Sequence, residues 1–545
     1  MDLQRLFLFL IFAFSLVLVW DGWQRYQHPE QYVQQESVVA AKDQAKSGLP
    51  SAGAQVAPVQ QAALPESKTI RVKTDLFEVE ISSIGGDISH LALLKHPDGV
   101  DQTKPLVLFQ RGAGTHNYVA QSGLLGTGLP NHNTAFAAEQ ESYELAVNSN
   151  QVQVRLKAEG AAALQVTKII TFHKNSYLID VAYELENAGP QAVTASSYFQ
   201  LVRDSVPPAG STMFLPTFTG PAVYTDKDKF QKVEFADIEK GKTEYPKQAD
   251  DGWVGMLQHY FVAAWLPEAK TGREYFTRKL DGDMYSAGMV LPETVIQPGQ
   301  KTVIGTRLYA GPAKSDLDKI APGLGLTVDY GWLTIIAAPL FWVMSLFYDW
   351  TGNWGIAIIL LTIAIKLLFF PLSAASYRSM AKMRLVTPKL EKIKEQYAGD
   401  REQLNRAMMD LYKTEKINPL GGCLPVLIQI PVFIALFWSI LASVEMRYAP
   451  FFGWITDLSV ADPYYVLPLI MGISMVVQMR LNPTPLDPMQ AKIMQIMPIA
   501  FSVVFFFFPA GLVLYSIVNN LLSIGQQWYI TRAAEGETKV AAAKR

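Results

Sequence analysis

The most unusual residue in this 545-residue sequence is Lys366, the only charged side chain within its long apolar segments. It lies in the apolar run 355–372, and Thr362 stands one helical turn before it on the same face. Burying an ammonium in a membrane costs several kcal/mol, so such residues usually face a bundle interior or a water-filled cavity. The alternative is a side chain that extends to the membrane surface, since Lys366 is six residues, roughly 9 Å, from the end of the run.

A stripe of polar side chains in the last apolar segment accompanies Lys366. Hydrogen bonds between helices in a dry bundle could satisfy such groups. A positively charged, water-accessible groove satisfies them better, because no apolar segment offers Lys366 an acidic partner. The stripe recurs at spacings of three and four and comprises Ser516, Asn519 or Asn520, Ser523, and Gln526 or Gln527. Two other apolar runs also carry polar residues: Gln429 in 424–443, and the pair Ser474 and Gln478 in 464–479.

The remaining reactive residue types argue against enzymatic chemistry. All seven histidines lie at or before His259, so no histidine in the second half can activate a serine, although a Ser–Lys pair stays conceivable. The single cysteine, Cys423, excludes an internal disulfide and a multi-cysteine zinc site. No Gly-x-x-x-x-Gly-Lys-Ser/Thr phosphate loop occurs. With 47 basic and 49 acidic residues there is no global basic field for nucleic acid. We therefore expect no catalytic residues, metal, cofactor or directly bound nucleic acid.

The composition predicts a membrane protein. Half of the residues are hydrophobic, 18% are charged against about 25% in soluble proteins, and the mean hydropathy is +0.13. The apolar run Leu6–Trp20 predicts an N-terminal membrane anchor over 1–23, with a cleaved signal peptide as the alternative. The composition of 24–67 is typical of a flexible linker. Further apolar runs occupy 332–347, 355–372, 424–443, 464–479, 493–508 and 512–530.

Charge asymmetry orients these segments. The polar segment 373–419 holds ten basic and six acidic residues, whereas 445–463 has one basic residue. Positive charge marks the cytoplasmic side, so the segment 373–419 is predicted to be cytoplasmic. If both 332–347 and 355–372 crossed the membrane, this segment would lie outside, so only one of these two runs can be a span. Proline and tryptophan favour an interfacial amphipathic helix over 326–350, which leaves 355–372 as the second span. The prediction is six spans with both termini, including a tail over 531–545, in the cytoplasm.

Between the anchor and the second span the pattern changes to strict alternation. Residues 68–315 contain runs such as Ile179–Leu185, in which apolar and polar side chains alternate, separated by turns rich in Gly, Pro and Asn. Such alternation is typical of half-buried strands in an antiparallel sandwich. By the orientation above, this β domain lies on the outer face of the membrane.

The cytoplasmic segment predicts an amphipathic helical hairpin. Thr387 before Pro388 is typical of a helix start, and Gly399 of its end. Asp400 with Gln403 then resembles a capping box that opens a second helix. A plain structural connector is the alternative, although the segment carries more charge than a connector needs.

Several segments of the helical half resemble the YidC/Oxa/Alb family of membrane protein insertases, and the order of parts resembles its Gram-negative, YidC-type form. These segments are Asn418–Pro425, Asp462–Pro468, Asp487–Gln490 and Phe508–Tyr515. The resemblance implies an α-helical polytopic membrane protein with six spans, a five-helix insertase core and an inserted all-β periplasmic supersandwich domain. It also implies a location in the bacterial inner membrane.

The same resemblance implies an insertase and chaperone activity, exerted alone or with the Sec translocon through a positively charged groove open to cytoplasm and lipid. Lys366 matches the basic groove position, where the best-known pattern has Arg; lysine keeps the charge but not the planar fork. Implied partners are nascent membrane proteins, the Sec translocon, the ribosome and signal-recognition-particle pathway, and the lipid bilayer.

The residues that this activity would use fall into three sets. The groove would contain Lys366, Thr362, Gln429, Ser516, Asn519, Ser523 and Gln526. A hydrophobic slide into lipid would contain Phe433, Met471 and Phe505. A cytoplasmic capture hairpin would present Arg378, Lys382, Arg384, Lys389, Lys392 and Asp400.

Two other functions compete with this interpretation. A secondary transporter would use Lys366 as an ion or proton site, but the sequence shows no obvious inverted repeat. A signalling or sugar-sensing protein would place its activity in the β domain.

Overall fold

The computed structural model describes residues 67–543, except for 100, 113–115, 160–163, 209–216, 398, 416–423, 482–491, 493–495, 498–499 and 501. The predicted anchor, nearly all of the predicted linker and six of the sixteen residues of the run 493–508 therefore lie outside the described residues. The described chain begins with a β-rich part and continues with a helical part.

Strands make up most of the β-rich part, and their apolar side chains alternate as the sequence predicts. In one strand Ile179, Val181, Tyr183 and Leu185 are buried while the residues between them are partly exposed. In chain order the strands are β1 (Thr69–Lys73), β2 (Phe77–Ser82), β3 (Ile88–Pro97), β4 (Pro105–Gln110), β5 (Tyr118–Leu125), β6 (Phe136–Ala138), β7 (Ser142–Glu144), β8 (Gln151–Ala158), β9 (Leu164–His173), β10 (Leu178–Asn187), β11 (Val193–Asp204), β12 (Gly220–Thr225), β13 (Lys229–Lys232), β14 (Gln248–Ala249), β15 (Trp253–Leu257), β16 (Phe261–Leu266), β17 (Arg273–Lys279), β18 (Met284–Val290), β19 (Thr294–Ile296) and β20 (Lys301–Pro312).

These strands form two sheets that pack face to face. The larger has the order β14–β17–β18–β11–β5–β4–β3–β2–β1–β7, with β19 paired to β11; the smaller has the order β13–β12–β15–β16–β20–β10–β9–β8–β6. Among the described strands the pairing is antiparallel except between β1 and β7. The inner faces share one apolar core, in which the rings of Phe199 and Trp265 lie 5.1 Å apart across the two sheets. The architecture is thus the antiparallel sandwich that the alternation predicts.

Part of the smaller sheet is buried on both faces, which simple alternation does not predict. In β15, Val254 and Met256 belong to the core between the sheets, whereas Trp253 and Leu257 belong to a second core that includes the helical part. The strands β12, β15 and β16 are consequently buried along their whole length. Their sequences are nearly continuous apolar runs because two cores, rather than one core and water, cover them.

The described helices lie mainly in the second half of the chain. Short 3-10 turns join them over Ser315–Lys319, Leu324–Thr327, Gly331–Leu333, Val444–Met446 and Phe505–Phe507. The helices are α1 (Phe235–Glu239), α2 (Thr334–Thr351), α3 (Trp354–Leu368), α4 (Phe370–Gln396), α5 (Arg401–Thr414), α6 (Leu424–Ala442), α7 (Val466–Arg480) and α8 (Ala510–Ala543). In the described part of the chain, only the bent pair α3–α4 has both the length and the apolarity to cross a membrane; no helix does so singly.

A sharp break separates α3 from α4 where the sequence predicts one continuous span over 355–372. α3 ends at Leu368, and the axes of the two helices differ by 66°. Pro371 accounts for the break, because it lacks the N–H that would bond the carbonyl of Leu367 and continue the helix. Lys366 therefore lies in the last turn of α3, closer to its end than the sequence predicts.

The hairpin has one correct and one wrong helix boundary. The side chain of Asp400 accepts hydrogen bonds from the backbone N–H groups of Glu402 (2.9 Å) and Gln403 (3.0 Å), so its predicted role as the N-cap of α5 is confirmed. The predicted helix start at Thr387-Pro388 is wrong, because α4 runs through Pro388. The helix continues there because its apolar face packs on α5 on both sides of the proline, through Met383, Val386, Leu390, Met408, Leu411 and Tyr412.

The β domain and the helices meet at the end of α6 and the turn that follows it. Val444 inserts into the core between the two sheets. The Nε2 atom of His259 donates a hydrogen bond to the carbonyl of Leu441 (2.8 Å), and the hydroxyl of Tyr448 donates to the carbonyl of Asp98. We call this region the joint, defined by residues 441–448 and the β-domain residues that they contact.

An arginine and aromatic rings occupy the centre of the joint. The guanidinium of Arg447 lies 4.9 Å from the ring centroid of Tyr448, 5.7 Å from that of Phe261 and 5.9 Å from that of Tyr260. Contacts of this kind between a partly desolvated cation and aromatic faces contribute about 1–2 kcal/mol each at most. The cation thus joins the loop after α6 to the β domain without an ion pair.

Two half-buried histidines, His259 in the joint and His96 packed against Phe261 beside it, make this region sensitive to acid. Burial lowers the pKa of His259 to about 4; the hydrogen bond to Leu441 and the charge of Asp329 oppose this shift, and the charge of Arg447 adds to it. Burial also lowers the pKa of His96 to about 4, with smaller contributions from Lys314 and Arg447.

We expect acid to destabilise the joint between about pH 6.5 and pH 4. In that range the unfolded chain binds protons that the folded histidines do not, so the free energy of unfolding falls as the pH falls, by about 1–3 kcal/mol per histidine at the acid end. Thermal unfolding of the purified protein in detergent at pH 7, 6 and 5 measures this. The double variant His96→Gln/His259→Gln should unfold with a flatter pH dependence.

The control for this experiment is His90→Gln, which removes a histidine from β3 elsewhere in the same domain. An unchanged pH dependence in the double variant, compared with this control, would contradict the assignment.

Candidate functional site: a buried cation beside a polar helix face

The site is built around the end of α3. Asn353 caps the start of this helix by accepting from the N–H of Ile356 (3.1 Å). Lys366 lies in its last turn, where the carbonyl end of the helix dipole favours a cation. Its side chain is only 9% exposed, and its Nζ atom donates to the hydroxyl of Ser523 on α8 at 2.6 Å. The ammonium is therefore held between two helices by a neutral oxygen.

No carboxylate compensates the charge of Lys366 in the part of the chain that the structure describes. The hydroxyl of Ser523 is the hydrogen-bond partner found for its Nζ atom, and no acidic side chain contributes electrostatically to its environment. An ammonium in a low-dielectric site normally requires an opposite charge or several acceptors. The arrangement can accept an anionic group without first breaking an ion pair.

The two serine hydroxyls of α8 donate to carbonyls of their own helix. Ser516 donates to the carbonyl of Leu512 and Ser523 to that of Asn519, each at 2.8 Å. Both serines are 4% exposed and lie two turns apart on one face of the helix. Thr362 on α3 behaves in the same way and donates to the carbonyl of Ile358 at 2.6 Å. The predicted stripe exists, but of these hydroxyls only that of Ser523 has a bond to Lys366.

The amides of the stripe mainly join α8 to α7 and the residue after it. Asn520 donates to the hydroxyl of Ser474 at 2.8 Å, and Gln527 donates to the carbonyl of Leu481 at 3.0 Å. Of the pairs that the sequence left open, Asn520 and Gln527 are the more buried members, whereas Asn519 and Gln526 are half-buried. This part of the stripe is consistent with hydrogen bonding in a packed bundle, the alternative that the sequence offered.

Gln429 lies apart from the lysine. It is half-buried on α6, within hydrogen-bonding reach of the Tyr515 hydroxyl on α8. Sequence reasoning missed Tyr515 as well as Tyr377, a buried residue of α4 whose hydroxyl lies close to Ser523. The signal that could have identified them is a tyrosine inside an apolar run, as for Tyr515, or five residues after one, as for Tyr377, since a buried phenol needs a partner.

The residues proposed as a slide do not share one surface. Met471 and Phe505 are only 7% and 5% exposed and belong to the apolar core of the helical part. Phe433 is half-buried, with its ring 6.2 Å from that of Tyr515. The exposed apolar residues of α7 are instead Leu469, Ile470, Ile473 and Val477.

The hairpin residues are mostly available to solvent. Arg378, Lys382 and Lys392 are exposed and Arg384 is half-buried. Lys389 is exposed but forms an ion pair with Glu415 at 2.6 Å. Asp400 is used as the cap of α5. Within the described ranges, no group of three or more His, Cys, Asp or Glu side chains could hold a metal ion.

Comparison with known proteins gives two family matches along the chain. The family description "YidC periplasmic domain" matches residues 69–343, and "60Kd inner membrane protein" matches residues 346–537. The membrane protein insertase YidC of Nitrosospira multiformis is 55% identical over 98% of this chain and 98% of its own. That of Thiobacillus denitrificans is 48% identical over the full length of both chains.

Among solved structures, one described as an active YidC insertase with its first transmembrane domain resolved overlaps 86% of this chain and 95% of its own, at 18% identity and a TM-score of 0.39. The family matches and the curated relatives confirm the resemblance seen in the sequence. The chain therefore belongs to the YidC family of membrane protein insertases, which are inner-membrane proteins of bacteria with a periplasmic domain and are not enzymes.

Proposed function

We propose that this chain inserts proteins into the inner membrane, and helps them fold, by drawing a polar segment of the substrate to Lys366 while the adjoining apolar helix enters the lipid. The observation that carries this proposal is the buried ammonium of Lys366, which has a neutral hydroxyl as its partner. A substrate carboxylate would supply the missing negative charge. The groove would comprise Lys366 with the polar residues Thr362, Gln429, Ser516, Asn519, Ser523 and Gln526.

Elementary energetics support such a step without nucleotide hydrolysis. Burying the apolar surface of one helix releases about 25 cal/mol per Å², which over a whole helix exceeds the cost of moving a short polar tail. The membrane potential assists acidic segments by about 2.3 kcal/mol per charge per 100 mV. The ammonium then lowers the cost of the intermediate in which a carboxylate has left water.

The membrane topology in this proposal has six spans, with both termini in the cytoplasm. The hairpin α4–α5 would then meet incoming chains first, through the exposed cations Arg378, Lys382 and Lys392. The Sec translocon, the ribosome and the signal-recognition-particle pathway are the proposed partners of this side.

For the path into lipid, we retain Phe433, Met471 and Phe505 as proposed slide residues and add the exposed face of α7. Met471 and Phe505 are buried in the helical core, so a substrate would reach them only after the helices separate. Ile473 and Val477 need no such movement.

The central test is reconstitution of the purified protein into proteoliposomes, followed by a single-span substrate with an acidic tail. Protection of the tail from added protease measures insertion. We expect Lys366→Ala to reduce the protected fraction about five- to tenfold, Lys366→Arg to keep it within about twofold, and Lys366→Glu to abolish it, because only the last repels a carboxylate.

The matched control is Arg532→Ala, which removes a cation of α8 that lies over Trp528 rather than beside the polar stripe. A folded wild-type protein that protects no tail would refute the proposed function. Equal activity of Lys366→Glu and wild type would refute the role of the charge.

A second test maps the route of the apolar helix by placing a photo-crosslinking amino acid at single positions. Crosslinks from Ile473 and Val477 to the substrate helix should exceed those from Met471 several-fold at early times, because Met471 is covered by the helical core. Val303, exposed on the β domain, is the negative control. Early crosslinks from Met471 that equal those from Ile473 would show that the helices are already apart.

A further inference from the structure

The hydrogen bonds around Ser523 have a defined direction. Its hydroxyl donates its proton to the carbonyl of Asn519 at 2.8 Å, so its lone pairs are left to accept from Nζ of Lys366 at 2.6 Å. A hydroxyl that already donates to a carbonyl is a better acceptor, because the two bonds polarise each other. Ser523 is thus a fixed acceptor, positioned by its own helix at the contact between α8 and α3.

This bond is adequate to place the ammonium but weak compared with an ion pair. A hydroxyl carries no charge, whereas a carboxylate offers two charged oxygens and forms shorter, stronger bonds with an ammonium. In the part of the chain that the structure describes, no acidic residue competes for that place. A carboxylate that reaches the site therefore exchanges readily with the serine oxygen.

We propose that Ser523 is a positioning residue that determines specificity: it holds the ammonium of Lys366 in the groove as an exchangeable placeholder, and it is replaced there by a carboxylate of the substrate. The inference rests on the proposed function and concerns its preference for acidic segments. Because the placeholder is neutral, the groove stays electrostatically open to acidic segments while it waits for a substrate.

Neighbouring polar residues do not share this role. Ser516 has the same burial and the same bond to its own helix, but its oxygen has no bond to Lys366. Thr362 likewise bonds to its own helix, through Ile358, and Asn520 is directed to Ser474 on α7. Position 523 alone combines a buried acceptor with contact to the ammonium in the described part of the groove.

The experiment measures charge selectivity rather than total activity. Two single-span substrates that differ only in their tails, two Asp against two Asn, are presented to proteoliposomes containing the full chain, and the ratio of protected acidic to protected neutral tail is determined. A structural defect lowers both substrates together and leaves the ratio unchanged.

For Ser523→Asp we expect the ratio to fall to about 1, because the new carboxylate pairs permanently with Lys366, while insertion of the neutral tail persists. Asparagine has the same size as aspartate but no charge, so Ser523→Asn should keep the ratio of the wild type. Ser523→Ala should raise it about threefold or more, because a carboxylate then displaces no resident acceptor. Ser439→Ala is the matched control for the alanine variant and should leave the ratio unchanged, because Ser439 is a buried serine of α6 that donates to Ala435 of its own helix and lies outside the proposed groove.

Equal ratios for Ser523→Asp and Ser523→Asn would overturn the inference. Equal ratios for Ser523→Ala and Ser439→Ala would also overturn it, which keeps the test decisive if the aspartate variant does not fold. A wild-type protein that inserts both tails equally would also overturn it, by removing the preference itself. Absence of any insertion by folded wild-type protein would refute the proposed function instead.

Discussion

Within the described residues, a desolvated ammonium whose hydrogen-bond partner is a neutral hydroxyl constrains the helical half of this molecule. Lys366 can stay in place because it lies at the negative end of the α3 dipole and because Ser523 is aimed at it by a bond to Asn519. Ser516 is tied to its own helix and Asn520 to Ser474 on α7, so these polar groups help to hold α8 in position. The polar face of α8 thus contributes in two separate ways: some of its residues stabilise helix packing, and Ser523 positions the charge of Lys366.

Much of this organisation follows from the sequence, and its failures have identifiable causes. Alternation predicts strands such as Ile179–Leu185 because one face meets a core and the other meets water. It fails for Trp253–Leu257, because the outer face there meets a second core. Spacings of three and four from Ser516 fit Asn519 and Asn520 equally well, and only the position of α7 selects Asn520. Tertiary contacts of this kind cannot be predicted from the spacing of residues in the sequence.

Local sequence alone does not determine the helix boundaries either. Two prolines carry the same local signal, yet Pro371 follows a break and Pro388 is absorbed within α4. The flanks of Pro388 pack on α5 through one apolar cluster. Residues on both sides of Pro371 contact α8, since Lys366 bonds to Ser523 and Tyr377 packs against Ile530. Tertiary packing therefore accompanies both prolines, and the local signal alone does not decide whether the helix continues.

The break between α3 and α4 also has a mechanical meaning. α4 is 27 residues long, about 40 Å, and is attached to α3 through one residue, Phe369. A swing of about 5° at this pivot displaces the far tip of such an arm by about 3–4 Å. Had the two helices been continuous, the same swing would twist the last turn of α3 and pull the ammonium from its serine. The break at Phe369 separates the two helix axes, so a swing of this arm is not carried along one continuous helix into the last turn of α3.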